Sequence, residues 1–382
     1  MHESKKQSIV FVAHKFLPQP DDDLVSFLNR EKYPNVLHIR HSFSDMPDRT
    51  SFYTWYQAGA VCKEEKTRDY SFLPEPLVYA KELYFTVWWI VKTKMAWDVY
   101  VGMDGLAVLF GNFLRFFSRV KKTIFWAIDF VPAHRFPSGL KNRIYQAINV
   151  HSYTHADEMW DLSPRMALAR EKFLGIAEES YKKHRVVPYG MWTERITPYS
   201  YEQCEKTTLV FMGHLIEKQG VQLVLQALPH VLTHISHFTF KIIGEGQYRE
   251  ELIALARELG VLDACDFQGK IEDNAVMEKE IAKSAVAIAP YIRSLDTWTY
   301  FADPGKVKTY LACGVPLLLT DIPWNAKEIE EKECGQIITE DPKDIARKLL
   351  YLLEGQTNAL YRKNAVLYAQ GFNYANIFRD LL

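Results

Sequence analysis

The most constraining stretch of the chain is residues 284–325, where two short apolar runs flank a helical segment. The first run covers residues 285–289 and the second covers residues 315–319. Between them, residues 304–313 have the composition of a helix that stops at Gly314. This order predicts strand, loop, helix and strand, which is one right-handed crossover unit of a parallel sheet.

The start of this predicted helix has the features of an anion-binding site. Asp303 suits the N-cap, Pro304 suits the first helical position, and Gly305 lets another group approach the backbone closely. Free N–H groups and the helix dipole favour negative charge there, and Lys306 adds a full positive charge. We therefore expect Asp303, Gly305 and Lys306 to contribute to a diphosphate site. An ordinary capped helix with a solvated lysine is the alternative reading of the same residues.

Composition limits the partners that the chain can have. Its 382 residues, 48% of them hydrophobic and 24% charged, suit two globular domains with substantial cores. The 46 Lys and Arg residues balance 47 Asp and Glu residues, which argues against a nucleic-acid partner. Five scattered cysteines form no CxxC pair, so we expect neither a disulfide framework nor a zinc site. The start resembles no signal peptide, and we expect a cytoplasmic protein.

Strands that alternate with helices predict an α/β fold in both halves of the chain. We expect a first domain over residues 1–190, a linker over 191–206 and a second domain over 207–366. Residues 41–76 are polar and aromatic, and we expect a long loop or an irregular insertion there. The second half contains six candidate strands, at residues 208–212, 238–243, 264–268, 285–289, 315–319 and 335–338.

Four stretches together resemble one enzyme family. Residues 302–321, ADPGKVKTYLACGVPLLLTD, resemble the donor-site helix of retaining GT-B glycosyltransferases of the GT4 type (glycosyl transferases group 1), which often read PxKxxEYLAxGxPVI there. Residues 212–227 resemble the motif GxLxxxKGVxxLxxA of that family, residues 242–246 resemble IxGxG, and residues 266–269 resemble VxFxG. The four stretches occur in the order of the family and cover residues 207–340.

The resemblance implies a fold and an activity. The fold would be GT-B, with two doubly wound Rossmann-like domains that face a central cleft, and residues 367–382 would form a terminal helix that packs back on the first domain. The activity would be transfer of a sugar, with retention, from a nucleotide-sugar to a glycan or a lipid-linked acceptor. The family likeness implies no cofactor, and the sequence offers no convincing DxD motif to hold a divalent metal ion.

The chain departs from the family at two positions. Many members carry two glutamates eight positions apart, the second directly before the YLA segment. Here these positions hold Phe301 and Thr309. In the family the second glutamate typically holds the donor ribose, and the first lies near the transferred sugar. Here these contacts are lost or supplied by other groups, and Asp296 and Asp303 are the nearest carboxylates.

The resemblance assigns the remaining donor-side residues, and Asp296 is expected to be catalytic. His214, Lys218 and Lys306 would meet the diphosphate, although Lys218 stands one residue before the usual family lysine, where this chain has Gln219. The glycines could instead be ordinary turn residues. The full expected donor set is Gly213, His214, Lys218, Gly244, Gly246, Gln268, Lys270, Tyr291, Arg293, Asp303, Gly305, Lys306 and Thr309.

Three positions in the first half are candidates for chemistry. His14 ends a predicted strand and could contact the acceptor, or its ring could be satisfied by neighbouring backbone. Asp129 also follows an apolar strand and could be catalytic by stabilising positive charge on the sugar, or it could only cap a loop. Residues 21–23, three aspartates, indicate a helix N-terminus more than a metal site.

Two questions stay open at this level. The segments 88–94 and 113–122 interleave aromatic and basic residues, which suits either peripheral contact with an anionic membrane or core aromatics with snorkelling lysines. The missing glutamates also allow a non-catalytic sugar-nucleotide or glycan-binding subunit. A sugar-nucleotide epimerase of the same fold is a third alternative.

Overall fold

A computed structural model of the chain describes residues 6–15, 20–44, 46–130, 135–295 and 299–382. The chain divides into two compact units, Met1–Pro188 with Phe378–Leu382, and Tyr189–Ile377. Each unit is built on one mainly parallel sheet, so the predicted α/β class is confirmed. All five cysteines are free thiols. No helix in the described ranges combines the length and the hydropathy that a membrane span needs.

The first unit contains an eight-stranded sheet. Its strand order is β4-β3-β2-β1-β5-β6-β7-β8, and the pairs β2–β3 and β3–β4 are antiparallel while the others are parallel. Its elements are β1 (Ile9–Lys15), α1 (Pro20–Arg30), β2 (Val36–Ser42), β3 (Ser51–Gln57), β4 (Ala60–Lys66), α2 (Glu75–Lys92), β5 (Trp97–Gly102), α3 (Gly105–Phe116), β6 (Val120–Ala127), α4 (Gly139–His155), β7 (Glu158–Asp161), α5 (Pro164–Leu174) and β8 (His184–Val186).

The expected irregular insertion at residues 41–76 is wrong. It contains the hairpin of β3 and β4, which extends the edge of the sheet. The two turn residues, Ala58 and Gly59, both have positive φ, as a tight two-residue hairpin turn requires. A Cβ on Gly59 would lie 2.3 Å from the carbonyl oxygen of Asn29, so only glycine fits there.

The second unit contains a six-stranded parallel sheet with the order β11-β10-β9-β12-β13-β14. All six strands expected from the sequence are confirmed. Its elements are β9 (Glu205–Met212), α6 (Val221–Leu232), β10 (Thr239–Ile243), α7 (Arg249–Glu258), β11 (Cys265–Gly269), α8 (Asn274–Lys283), β12 (Ser284–Ala289), α9 (Gly305–Ala312), β13 (Leu317–Leu319), α10 (Ala326–Glu331), β14 (Gly335–Ile337), α11 (Pro342–Leu353), α12 (Gly355–Ala369) and α13 (Tyr374–Leu381).

The segment 191–206, expected as a linker, lies within the second unit. Met191 forms a parallel bridge with Asn373, and the Trp192 and Tyr374 rings lie 5.7 Å apart. The last residues of α13 group instead with the first unit, where Phe378 is fully buried.

Phe378 gives a direct test of this packing. Its ring centroid lies 5.6 Å from that of Phe27 and 6.1 Å from that of Trp126. Phe378→Ala should lower the free energy of unfolding of the first unit by about 3–5 kcal/mol, because it removes a fully buried ring and leaves a cavity. Urea unfolding followed by tryptophan fluorescence would measure the loss. The control Phe378→Leu should cost about 1–2 kcal/mol, and equal losses for the two variants would contradict this packing.

Candidate functional site

The strand order of the second unit fixes where a ligand can bind. The chain leaves β9 toward β10 on one side and returns at β12 on the other, so the order reverses between β9 and β12. In open parallel sheets the crevice outside the carboxyl ends of two such strands is the usual ligand site. Here that crevice receives the loop after Met212, the loop after Ala289 and the start of α9.

Lys306 occupies this crevice. Its Nζ donates a hydrogen bond to Gln219 Oε1 at 2.6 Å and lies 4.3 Å from the ring centroid of Phe211 and 5.2 Å from that of Tyr291. Both rings present negative faces to the ammonium group and hold it by cation–π attraction. A Cβ on Gly213 would lie 2.6 Å from Nζ, so that glycine makes room for the lysine.

The start of α9 differs from the sequence expectation. Pro304, not Asp303, is the N-cap residue, and no side chain of the described residues caps the helix. Gly305 is the first helical residue, and a Cβ added to it would meet no described heavy atom within 4 Å. The first turn of α9 therefore keeps backbone N–H groups that no capping side chain uses, next to the Lys306 ammonium.

Asp303 has a structural role in place of the expected cap. Its carboxylate is 1% exposed and forms an ion pair with the buried ammonium of Lys308. It also accepts hydrogen bonds from Trp324 Nε1 and from the backbone N–H of Tyr189, both at 2.8 Å. Burial lowers the pKa of Lys308, and the adjacent Asp303 charge opposes that shift. The pair anchors the chain two residues before α9.

Thr309 and Phe301 stand at the two positions where the family carries its glutamates. Thr309 is buried and Phe301 is apolar, so neither offers a carboxylate. Thr309 is 7% exposed, and its Oγ1 donates to the carbonyl of Gly305 within the same helix at 3.3 Å. Phe301 is half-buried beside Tyr300, with ring centroids 5.2 Å apart. Asp296, expected to be catalytic, lies outside the described residues. Arg293 is exposed, and its backbone N–H donates to Glu340 at 2.9 Å.

Gly244 and Gly246, two of the expected donor-side glycines, let the loop after β10 pack closely on the loop after β9. A Cβ on Gly244 would lie 1.9 Å from the carbonyl oxygen of Gly213, and one on Gly246 would lie 2.1 Å from that of Leu215. Backbone hydrogen bonds continue the sheet here, since Gly213 donates to Ile243 and Leu215 donates to Glu245, each at 2.9 Å. These glycines build the floor of the crevice.

The other expected donor residues lie along the same edge of the sheet. His214 is exposed, and Lys218 is half-buried. Gln268 Nε2 donates to Asp266 Oδ2 at 2.8 Å, while its Oε1 is buried and has no hydrogen-bond partner among the described residues. Lys270 is exposed and pairs with Glu272 at 2.7 Å.

Sequence reasoning missed three groups at this edge. Gln219, noted only as a departure from the family lysine, is the hydrogen-bond acceptor that positions Lys306. Thr320 Oγ1 and Asp321 Oδ1 follow β13 and are buried, with no hydrogen-bond partner among the described residues. Their place after an apolar strand was the available signal, because such positions lie at the ligand edge of a parallel sheet.

The first unit has its own point of reversal, between β1 and β5. His14, near the end of β1, lies there with Asp104, which follows β5. Its Nδ1 donates to Asp104 Oδ2 at 2.9 Å and its Nε2 donates to Glu82 Oε2 at 3.2 Å. The ring stacks on Phe43 with centroids 4.7 Å apart. The sequence expectation singled out His14 but missed both carboxylates.

These carboxylates keep the imidazole charged. Burial alone would lower the pKa of His14, but the charges and hydrogen bonds of Asp104 and Glu82 raise it to about 10. Glu82 is 1% exposed, and its Oε1 is buried with no hydrogen-bond partner among the described residues. A nearby second histidine, His41, is held by Ser51 and Thr86, and burial lowers its pKa. The site thus contains one imidazolium and two carboxylates.

Asp129 lies two residues after β6. Its side chain is 56% exposed, and Oδ2 accepts a hydrogen bond from Arg135 at 3.1 Å. The same guanidinium nitrogen donates to the hydroxyl of Tyr145 at 3.1 Å. Burial raises the pKa of Tyr145, and Asp129 adds to the shift. Asp129 is accessible to a ligand, with Arg135 as its counter-ion.

The aspartates of residues 21–23 occupy the first turn of α1, which confirms the predicted helix start. Asp21, Asp22 and His38 lie close enough together to share a metal ion. Arg40 already forms ion pairs with both carboxylates. Burial opposes ionisation of Asp21, yet His38 and Arg40 lower its pKa. The group is an ion-pair network that joins α1 to β2.

Comparison with known proteins connects this geometry to an enzyme class. Residues 206–355 match the sequence profile of the family described as Glycosyl transferases group 1. The matched region contains every expected donor-side residue, from Gly213 to Thr309. The match lies entirely within the second unit and covers less than half of the chain.

Individual relatives agree with this match. A GDP-mannose-dependent alpha-(1-6)-phosphatidylinositol monomannoside mannosyltransferase of Mycobacterium tuberculosis is 29% identical over 94 residues, which are 22% of this chain and 24% of that protein. The matched stretch thus spans about a quarter of the length of this relative.

Solved structures share the fold of the whole chain. Sucrose-phosphate synthase of Thermosynechococcus elongatus has a TM-score of 0.70 at 14% identity, over 98% of this chain and 97% of its own. HepE of Anabaena, solved with UDP and glucose, has a TM-score of 0.67 at 14% identity, over 98% of both chains. The fold is that of GT-B glycosyltransferases.

The charged group around His14 predicts a pH dependence of stability. The folded chain retains a proton that the unfolded chain releases near the ordinary histidine pKa of 6.5. The stability from His14 is therefore complete below pH 6.5 and is lost as the pH rises through about 10. Between these values the free energy of unfolding of the wild type should fall by roughly 4 kcal/mol more than that of His14→Gln.

Urea unfolding at a series of pH values would measure the difference. The control His237→Gln removes an exposed histidine whose side chain makes no ion pair with a described residue, and it should follow the wild-type curve. Parallel curves for wild type and His14→Gln would contradict the assignment of a retained proton to His14.

Proposed function

We propose that the protein is a glycosyltransferase that moves a sugar from a nucleoside-diphosphate sugar to a glycan or a lipid-linked acceptor. The observation that carries the proposal is the Lys306 ammonium at the point of strand reversal, beside the uncapped first turn of α9. It lies within a region that matches the glycosyl transferase group 1 profile.

The chemistry of the leaving group explains this arrangement. Transfer breaks the bond between the sugar and the diphosphate, so negative charge grows on the diphosphate in the transition state. Lys306 and the first-turn N–H groups of α9 would stabilise that charge, and the cation–π contacts with Phe211 and Tyr291 would keep the ammonium in place. We propose that these groups act without a divalent metal ion.

Donor identity follows as a narrower proposal. HepE was solved with UDP, and the mycobacterial relative uses GDP-mannose, so uridine and guanosine diphosphate sugars are the first donors to test. The base would lie near Gly244 and Gly246, where Gln268 Oε1 could accept a hydrogen bond, since it has no partner in the part of the chain that the structure describes. Asp321 Oδ1 is a candidate acceptor for a ribose or sugar hydroxyl, in place of the missing glutamates.

The first unit would supply the acceptor side and the second unit the donor side. His14 would attract an acceptor oxygen through the positive charge of its ring, since both of its N–H groups already donate to Asp104 and Glu82. Asp129 would stabilise positive charge on the transferred sugar. The family resemblance supports transfer with retention of configuration. Asp296 stays a catalytic prediction.

One observation favours a second candidate. Thr309 bonds within α9 and offers no carboxylate to a ribose, so the chain could bind a sugar nucleotide without transferring the sugar. Release of nucleoside diphosphate from a bound donor separates the two functions. An enzyme releases it during turnover with an acceptor or slowly to water, and a binding subunit does not.

Titration calorimetry with UDP, GDP and their monophosphates tests the diphosphate site. Lys306→Ala should weaken diphosphate binding by about 10- to 100-fold, because it removes one charged hydrogen bond worth roughly 1.5–3 kcal/mol. The effect on monophosphate binding should be smaller. The control Lys343→Ala removes an exposed lysine of the same unit and should change nothing. Unchanged diphosphate affinity in Lys306→Ala would reject Lys306 as the diphosphate-binding residue.

A further inference from the structure

The first unit exposes an unusual number of large hydrophobic side chains on three consecutive helices. Half of those exposed anywhere in the described residues lie on α2, α3 and α4 or directly beside them. We call this surface the apolar face. Its members are Leu77, Leu83, Tyr84, Trp88, Val91, Phe113, Phe116, Phe117, Leu140 and Ile144.

The exposed side chains of α2 form an organised stripe within the apolar face. Leu77, Tyr84, Trp88 and Val91 recur at helical spacing along the solvent side of α2, where a surface helix ordinarily carries polar residues. Trp88 stacks on Tyr84 with an interplanar angle of 5°. Of the two readings of residues 88–94, core packing does not hold for Trp88, which is 47% exposed, and the neighbouring Tyr84 is 58% exposed.

The end of α3 is the most prominent part. Phe116 is 83% exposed, and its ring centroid lies 5.2 Å from that of Phe117, which in turn lies 4.9 Å from Phe113. A groove of about 630 Å³ joins the three helices, lined by Leu83 of α2, Phe113 and Phe116 of α3 and His151 of α4, among others. Contiguous apolar surface of this kind marks an interaction site.

Charge around the face is positive on balance. Residues 75–94, 105–119 and 139–155 contain seven Lys and Arg but only two Glu, in a chain that is otherwise balanced. Glu82 and Lys81 are buried, and three ion pairs neutralise further charges: Glu75 with Lys141, Glu65 with Lys92 and Asp157 with Arg115. The side chains of Lys94 and Arg143 are exposed and form no ion pair with a described residue. The face is therefore apolar and cationic.

We propose that the apolar face docks the protein on an anionic lipid bilayer. Aromatic and aliphatic side chains would enter the boundary between headgroups and acyl chains, and the cations would meet the anionic headgroups. A symmetric contact between two copies would set the same cations against each other, so charge favours the bilayer over a second copy. The inference does not depend on the proposed transferase activity.

Vesicle flotation of the full chain tests this docking. The wild type should float with vesicles of phosphatidylcholine plus phosphatidylglycerol, weakly with phosphatidylcholine alone, and less at high salt. Phe113→Ser with Phe116→Ser should reduce the floated fraction about tenfold or more, and Lys94→Glu with Arg143→Glu should do the same on anionic vesicles. All four side chains are at the surface, and circular dichroism would verify that the variants stay folded.

Matched controls come from the second unit. Leu360→Ser with Leu367→Ser removes exposed apolar side chains, and Lys206→Glu with Lys343→Glu reverses exposed charges. Neither pair should alter flotation. Failure of the wild type to float with anionic vesicles would overturn the proposal. A second result would also overturn it: light scattering that shows a dimer of the wild type and a monomer of the Phe113→Ser, Phe116→Ser variant. In that case a second copy of the chain, and not a bilayer, would cover the apolar face.

Discussion

The candidate site depends on one interaction, the confinement of the Lys306 ammonium at the point where the strand order of a parallel sheet reverses. A cation at this place meets any ligand that enters the crevice, because the loops after β9 and β12 diverge around it. The ammonium is held by Gln219 and by the rings of Phe211 and Tyr291. Behind it, the buried pair of Asp303 and Lys308 fixes the start of α9.

Strand positions were predictable because each core strand is a short apolar run that ends at a proline, a glycine or a polar residue. The hairpin strand Ala60–Lys66 was not, since its sequence AVCKEEK is charged and mostly exposed at a sheet edge. Edge strands have one unpaired side and need no apolar face toward the core, so the period of their hydrophobicity is weak.

The site was predictable where it depends on local sequence and unpredictable where it depends on distant partners. Lys306 follows from the local sequence at the start of α9, and Gly213, Gly244 and Gly246 follow from the family motifs that residues 212–227 and 242–246 resemble. Asp303 appeared to be a helix cap, but Lys308, Trp324 and Tyr189 use its carboxylate. Tyr189 is 114 residues away, and no local pattern shows such a contact. The same holds for His14, whose charge depends on Glu82 and Asp104.

The central claim is that Lys306 and the first turn of α9 bind the diphosphate of the donor. A crystal structure of the protein with UDP or GDP tests it most directly. The account predicts phosphate oxygens within hydrogen-bond distance of Lys306 Nζ and of the N–H groups that begin α9. A nucleotide bound with its diphosphate away from both would contradict the account.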